Sequence, residues 1–405
     1  MTETGTPQLN AAELLQELLS PAGRADPFPL YAAAHRLGPV LPMSDDIFLV
    51  VGYGAANDVL RSPSFEIPTE PSSRPSLDLM QRSILRTNPP DHGRMRSLIG
   101  QVFTPRRVAG LQPTVEAAVD ELLDALPAEV DFMDRFAFQL PVTVICELLG
   151  VPTADRHRFR PLASDLTAAL ELTDTADEAA DAAAAELGEY FTHLIRNPPA
   201  GGLVSALVAA RDADDDRLSD EELLANLILL LVAGFETTTD LLGNGLAILL
   251  DQPDQLTDPA AFVEEVLRYD SPVQVTTRVA RDTVDVAGTS IPAGSNLVLL
   301  LGAANRDPAR FTDPDRFDPL RTGNKPLSFG AGAHICLGNS LARLEATVAF
   351  THLRAATITR TGEPTRRNRL VLRGYQTLPV TIRPGRLAGY FTTDPLQQAS
   401  DNTTR

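Results

Sequence analysis

Apolar residues recur at three- and four-residue intervals over 10–19, 113–126, 138–149, 176–195, 220–251, 259–269 and 338–356, all rich in Ala, Leu and Glu. This period predicts amphipathic helices that supply most of the core. Two regions follow another rhythm. Around Ile47 to Gly52 and across Val279 to Leu301, aliphatic residues cluster between turn formers, and Val284-Asp285-Val286-Ala287-Gly288-Thr289 leads through a turn to Ile291-Pro292-Ala293-Gly294. Minor strand pairs are predicted there. Between Pro63 and Pro90 the pattern lapses into Pro, Ser and Arg with scattered Leu, Ile and Met, the composition of a mobile surface loop with an apolar, substrate-facing inner side. No repeat or long linker divides the chain. A single, mainly α domain over 1–386 is expected, with a frayed polar tail at 387–405.

The longest strongly apolar segment, Leu223 to Leu231, is followed by Gly234, Glu236 and three threonines. That falls short of the roughly 20 apolar residues of a membrane span, so no helix is expected to cross a bilayer. The N-terminus lacks the basic-then-apolar order of a secretory signal, and a cytoplasmic location is expected by default. A net charge of -18, from 53 acidic and 35 basic residues, argues against attraction of the whole molecule to nucleic acid or an anionic membrane. With 43% hydrophobic and 22% charged residues the chain is not of the disordered class. Only two cysteines occur, too few for a disulfide framework. Cys146, in the apolar run Val142 to Leu149, reads as a packed core thiol.

Cys336 stands in a different setting. Phe329-Gly330-Ala331-Gly332-Ala333-His334-Ile335-Cys336-Leu337-Gly338 is a glycine-punctuated loop that delivers a cysteine just before an amphipathic helix. The helix dipole and free backbone N–H groups are expected to lower the thiol pKa and make it a good ligand. Glycines at 330, 332 and 338 permit backbone conformations and close approaches that a side chain would block.

Every fixed position of this segment matches F-G-x-G-x-H-x-C-x-G, and here the chain resembles the cytochrome P450 superfamily, in its bacterial soluble form. The resemblance implies a helix-rich fold with small sheets, holding haem b (iron protoporphyrin IX) between a long central helix and the cysteine loop. It implies Cys336 as the metal ligand, with Ala233, Phe329, Gly330, His334 and Gly338 against the cofactor. A thiolate ligand pushes electron density onto iron and favours O–O cleavage. The implied activity is that of a monooxygenase acting on a lipophilic small molecule by hydroxylation or epoxidation, as in antibiotic biosynthesis. A peroxide-using peroxygenase and a non-enzymatic haem protein are the alternatives.

In Ala233-Gly234-Phe235-Glu236-Thr237-Thr238 an acid and hydroxyls interrupt an apolar helix. The residues alone leave open that the threonines merely return hydrogen bonds to the backbone. The resemblance, to A-G-x-[DE]-T-T, implies that Glu236 and Thr237 deliver protons during oxygen activation. Glu265 and Arg268, at i and i+3 in helix 259–269, read alone as a surface ion pair. The resemblance to E-x-x-R implies that they buttress the cysteine loop with a later arginine, matched by Arg316. His92, Arg96, Arg278 and His334 resemble family contacts to the two haem propionates, which need cationic or imidazole donors.

Family pocket positions fall on Met80, Ile84, Leu85, Leu229, Ala233, Val273, Val275 and Leu378, with Gln274, Thr276 and Gln376 as polar contacts, and imply a medium or large lipophilic substrate. No G-x-G-x-x-G fingerprint for a flavin or nicotinamide occurs. Electrons are therefore expected from a separate ferredoxin and ferredoxin reductase, docking on a basic patch of Arg106, Arg107 and Arg343. A monomer is expected, with no nucleic-acid or membrane partner.

Overall fold

The computed structural model describes residues 9–69, 74–101, 103–168, 171, 178–199, 202–213 and 218–383 of the 405-residue chain. The predicted tail 387–405 and positions 70–73 of the predicted loop lie outside the described residues.

The axis of the fold is the long helix Asp220–Asp251. Ser219 caps it: its hydroxyl accepts the Glu222 N–H at 3.1 Å, and the Glu222 carboxylate accepts the Ser219 N–H at 2.8 Å. This capping box satisfies two otherwise orphaned donors, and three acidic residues in the first turn complement the dipole. At 32 residues the helix is long and apolar enough to cross a membrane by length and composition, beyond what the apolar run predicted. Two-thirds of its most apolar window is buried inside the fold, as in the central helix of a globular core. Helix Asn339–Leu353 packs against it closely enough that a Cβ on Gly245 would lie 2.4 Å from the Phe350 ring.

A five-stranded sheet flanks the helices, in the order Val40–Pro42, Ile47–Val50, Asn296–Leu300, Val275–Ala280, Phe65–Glu66. Ile47–Val50 runs parallel to Asn296–Leu300 and the other pairings are antiparallel. The predicted turn after Val286 is a two-residue hairpin through Ala287 and Gly288, both with positive φ, the backbone that matches strand twist. Every predicted helix is present within three residues at each end.

The segment 63–90 departs from the mobile loop that its composition predicts. It contains the helix Pro75–Gln81 and is pinned beyond it. The Ile84 N–H donates to Asn226 of the long helix at 2.9 Å, and Asn88 exchanges two hydrogen bonds with the Ile67 backbone. Met80 is a core residue at 3% exposure.

Glu265 and Arg268, on helix Pro259–Tyr269, are fully buried rather than a surface pair. Their contact is bidentate, at 2.9 and 2.7 Å, and every remaining valence is used. Arg268 donates to the carbonyls of Asn305, Pro314 and Arg316. Glu265 accepts from the Asp318 N–H, Asn324 and Arg321. The third cation is thus Arg321 and not Arg316 as predicted. Arg316 lends only its carbonyl, and its side chain, 67% exposed, pairs with Asp318. The chain turns after Asp318 and returns Arg321 to the free face of Glu265, while Arg268 already occupies the side on which Arg316 lies.

Breaking a fully buried ion pair strands a charge, at a cost of about 3–5 kcal/mol. Arg268→Ala is therefore expected to lower unfolding stability by that order in urea titrations, Arg321→Ala by less, and Arg316→Ala by under about 0.5 kcal/mol. Equal effects at 316 and 321 would contradict the assignment.

Candidate functional site

The network around Glu265 extends into the cysteine loop. Ser328 donates to the Leu267 carbonyl at 2.5 Å and accepts from Asn305, whose side-chain oxygen takes the Leu327 N–H. The loop then closes on itself, the Cys336 N–H bonding the Phe329 carbonyl at 2.9 Å. Gly330 and Gly332 have φ of +67° and +70°, and a Cβ on Gly332 would sit 2.3 Å from the Leu60 carbonyl oxygen. These two glycines are required for the reasons the sequence implies. Gly338 has an ordinary φ of -82°, and its amide N–H is directed at the Cys336 sulfur on the cavity wall.

Cys336 opens onto a largely apolar cavity of about 390 Å³ that also bears Ala233, Gly234 and Thr237 of the long helix. The thiol is accessible through that cavity yet lies deep in the protein, and burial pushes its pKa up, against the pull of the Gly338 N–H, Arg96 and Arg343. The helix that follows begins only at Asn339, three residues past the thiol. A coordinated metal ion would supply the missing stabilisation of the thiolate.

All four predicted propionate contacts line this cavity. The His92 and His334 rings lie 3.8 Å apart, and His92 Nε2 is buried without a partner. Arg96 donates to the Ile335 carbonyl at 2.6 Å. Arg278, 5% exposed, reaches only Thr276 and the Thr277 carbonyl among the described residues, and burial holds its pKa down to about 10. Burial, then the neighbouring cations, hold His334 down to about 3. Among the described residues the only carboxylate on the cavity wall is Glu345, whose pKa burial pushes up. Buried guanidinium groups without counter-charge are costly, so this donor set fits a cofactor carrying a metal and two carboxylates, as haem does.

Of the predicted substrate contacts, Ile84, Leu85, Leu229, Ala233, Val273, Val275 and Thr276 line the cavity. Four do not. Met80 and Leu378 are in the core. Gln274 is held behind the strand, accepting from the Tyr31 hydroxyl at 2.8 Å and donating to the Ser271 carbonyl. Gln376 faces a separate polar cavity of about 200 Å³. The sequence reading missed Arg86, Phe103, Leu301 and Glu345. Glu345 was visible in principle, as a carboxylate on the apolar stripe Leu341, Glu345, Val348.

Glu236 and Thr237 diverge, as successive residues on a helix must. Thr237 lines the large cavity, and its hydroxyl bonds the Ala233 carbonyl at 3.1 Å. Glu236 is buried on the wall of the polar cavity instead, paired with Arg367 and with Arg369 at 3.3 Å. One turn on, Asp240 is fully buried with both carboxyl oxygens lacking a hydrogen bond, 3.5 Å from Arg367. Burial pushes its pKa up to about 7 against the pull of Arg367, with Glu236 adding to the rise. Cys146 is a buried thiol raised to about 12, as an inert core residue should be. Of the predicted basic patch, Arg106 and Arg107 are exposed, whereas Arg343 is committed to Glu264 and stacks 4.5 Å over Phe329.

Residues 259–354 match the family model described as Cytochrome P450. The cytochrome P450 monooxygenase PikC of Streptomyces venezuelae is 41% identical over 395 residues, covering 91% of this chain and 94% of that one. The 6-deoxyerythronolide B hydroxylase of Saccharopolyspora erythraea is 38% identical over 365 residues, covering 82% and 89%. The ligand-free crystal structure of Mycobacterium smegmatis CYP164A2 superposes with a TM-score of 0.84 at 39% identity, over 92% of this chain and 100% of that chain.

Asp240 makes stability depend on pH. An unfolded aspartate ionises near pH 3.9, so from there up to about 7 the folded protein holds a proton that the unfolded chain has released. Its contribution to stability therefore falls as pH rises through that window. Asp240→Asn is expected to unfold at a higher temperature relative to the parent at pH 7.5 than at pH 5. A difference in melting temperature independent of pH would contradict the assignment.

Proposed function

This chain belongs to the cytochrome P450 family and is a monooxygenase, and we propose that it transfers one oxygen atom of dioxygen to a lipophilic organic molecule in a tailoring step of secondary metabolism. The observation that carries this reading is the single apolar cavity with Cys336 on one wall and Thr237 on another. When bound there as haem b, the cofactor supplies a thiolate-ligated iron that activates dioxygen. Cys336 would ligate it, and His92, Arg96, Arg278 and His334 would hold its carboxylates.

The remaining residues orient substrate, exclude water and handle protons. Ile84, Leu85, Leu229, Val273 and Val275 offer an apolar surface that holds a hydrophobic molecule by burial and keeps the site dry. The Thr237 hydroxyl, one of few polar groups on the long-helix side, positions a proton over the site. Glu236, tethered by Arg367 and Arg369 at the edge of the polar cavity, would take up protons there and pass them on by rotating toward Thr237. The relative that acts on 6-deoxyerythronolide B, a hydroxylase by name, supports a hydroxylation.

Electrons come from a separate ferredoxin and its reductase. Arg106 and Arg107, exposed at the start of a helix packed on Asn339–Leu353, offer an acidic protein a cationic landing point on the cysteine side.

Thr237→Ala is expected to keep haem while product formed per electron pair falls by about tenfold and hydrogen peroxide release rises. Full coupling in this variant would remove Thr237 from proton delivery. Charge reversal at Arg106 and Arg107 should slow reduction by ferredoxin and flatten its salt dependence. Unchanged rates would place the partner elsewhere.

A further inference from the structure

Arg86 plays no part in the account above, and its surroundings are unusual. Among the described residues its side chain forms no hydrogen bond and no ion pair, and it lines the large cavity. Burial alone shifts its pKa, downward, with no carboxylate near enough to counter it. Its positive charge in turn helps to hold down that of Arg278, so the two guanidinium groups face the same region of the cavity.

The backbone that presents it is fixed on both sides. Ser83 is buried, donates to the Met80 carbonyl at 2.6 Å, and has its own carbonyl taken by the Thr87 hydroxyl and by the Arg86 side of the turn. Ile84 is tied to Asn226 of the long helix, and Asn88 to Ile67. A guanidinium held on a pinned turn, half-buried and without an anion, is an unfavourable arrangement unless a ligand completes it.

Charge bookkeeping inside the cavity points the same way. Arg86, Arg96 and Arg278 all line it, and the one carboxylate among the described lining residues, Glu345, has its ionisation opposed by burial. Two haem carboxylates against three guanidinium groups leave one positive charge unmatched. On the reading that haem occupies the cavity, we propose that Arg86 is a carboxylate-binding residue, receiving either a haem propionate or the carboxylate of a lipophilic acid held as substrate. The planar, permanently charged guanidinium suits a carboxylate in both cases.

The test compares haem-loaded parent, Arg86→Gln and Arg86→Lys. Haem transfer to apomyoglobin is timed, and lauric acid and methyl laurate are titrated by their spin-state shift. If the carboxylate is the cofactor's, Arg86→Gln should lose haem about tenfold faster while Arg86→Lys stays near the parent. If it is the substrate's, haem loss is unchanged, and Arg86→Gln should bind lauric acid about tenfold more weakly with methyl laurate unaffected, the lysine restoring affinity. An Arg86→Gln protein that matches the parent in haem loss and in discrimination between acid and ester overturns the proposal. Absence of a Soret band from the parent itself is a separate result, which would sink the haem reading.

Discussion

The buried contact between Glu265 and Arg268 is the interaction on which the site depends. Taken out of water, each charge is repaid only by complete coordination, and the structure supplies it from Asn305, the segment 314–324 and the helix itself. These are the stretches of chain that lead into the cysteine loop. Because Arg268 collects their carbonyls and Leu267 anchors Ser328, the loop that carries Cys336 is placed by a network with no slack, and the cavity wall opposite the long helix is fixed with it.

That rigidity frames a chemical asymmetry. One side of the long helix faces an apolar cavity with cations at its edge. Another side faces a small polar cavity where Glu236, Arg160, Arg367 and Arg369 meet. Arg86, Arg96 and Arg278 on the first side make no ion pair among the described residues. Charge on the second is internally paired, although the Asp240 carboxyl, 3.5 Å from Arg367, accepts no hydrogen bond. The helix thus separates a largely apolar cavity from a polar one, and Thr237 and Glu236, adjacent in sequence, stand on either side of that boundary.

Much of this was legible in the sequence where local signals and packing agree. The long helix and Pro259–Tyr269 begin where predicted, and Ser219 with Glu222, and Asp258 before Pro259, are strong start signals there. The cysteine loop was legible because its glycines have stereochemical necessity. Helices such as Phe28–Leu37, Tyr53–Arg61 and Phe159–Ala168 were not: prolines near their starts, glycines or β-branched residues weaken the local signal, and tertiary contacts stabilise them instead. Arg316 and Arg321 could not be told apart, since sequence does not reveal whether a residue contributes its carbonyl or its side chain. Gln274, Gln376 and Leu378 were placed one face away from where they lie, because register and the partners of buried amides are set by the assembled fold. Arg86 was passed over in a segment read as a flexible loop, when hydrogen bonds to Asn226 and Ile67 in fact hold it still.

The central claim is that Cys336 ligates haem iron as a thiolate. It is tested most directly by the difference spectrum of the dithionite-reduced protein with carbon monoxide. The account predicts a far-red-shifted Soret band in the parent that is lost in Cys336→Ala. A haem-loaded parent without that band, or a Cys336→Ala protein that keeps it, would contradict the assignment.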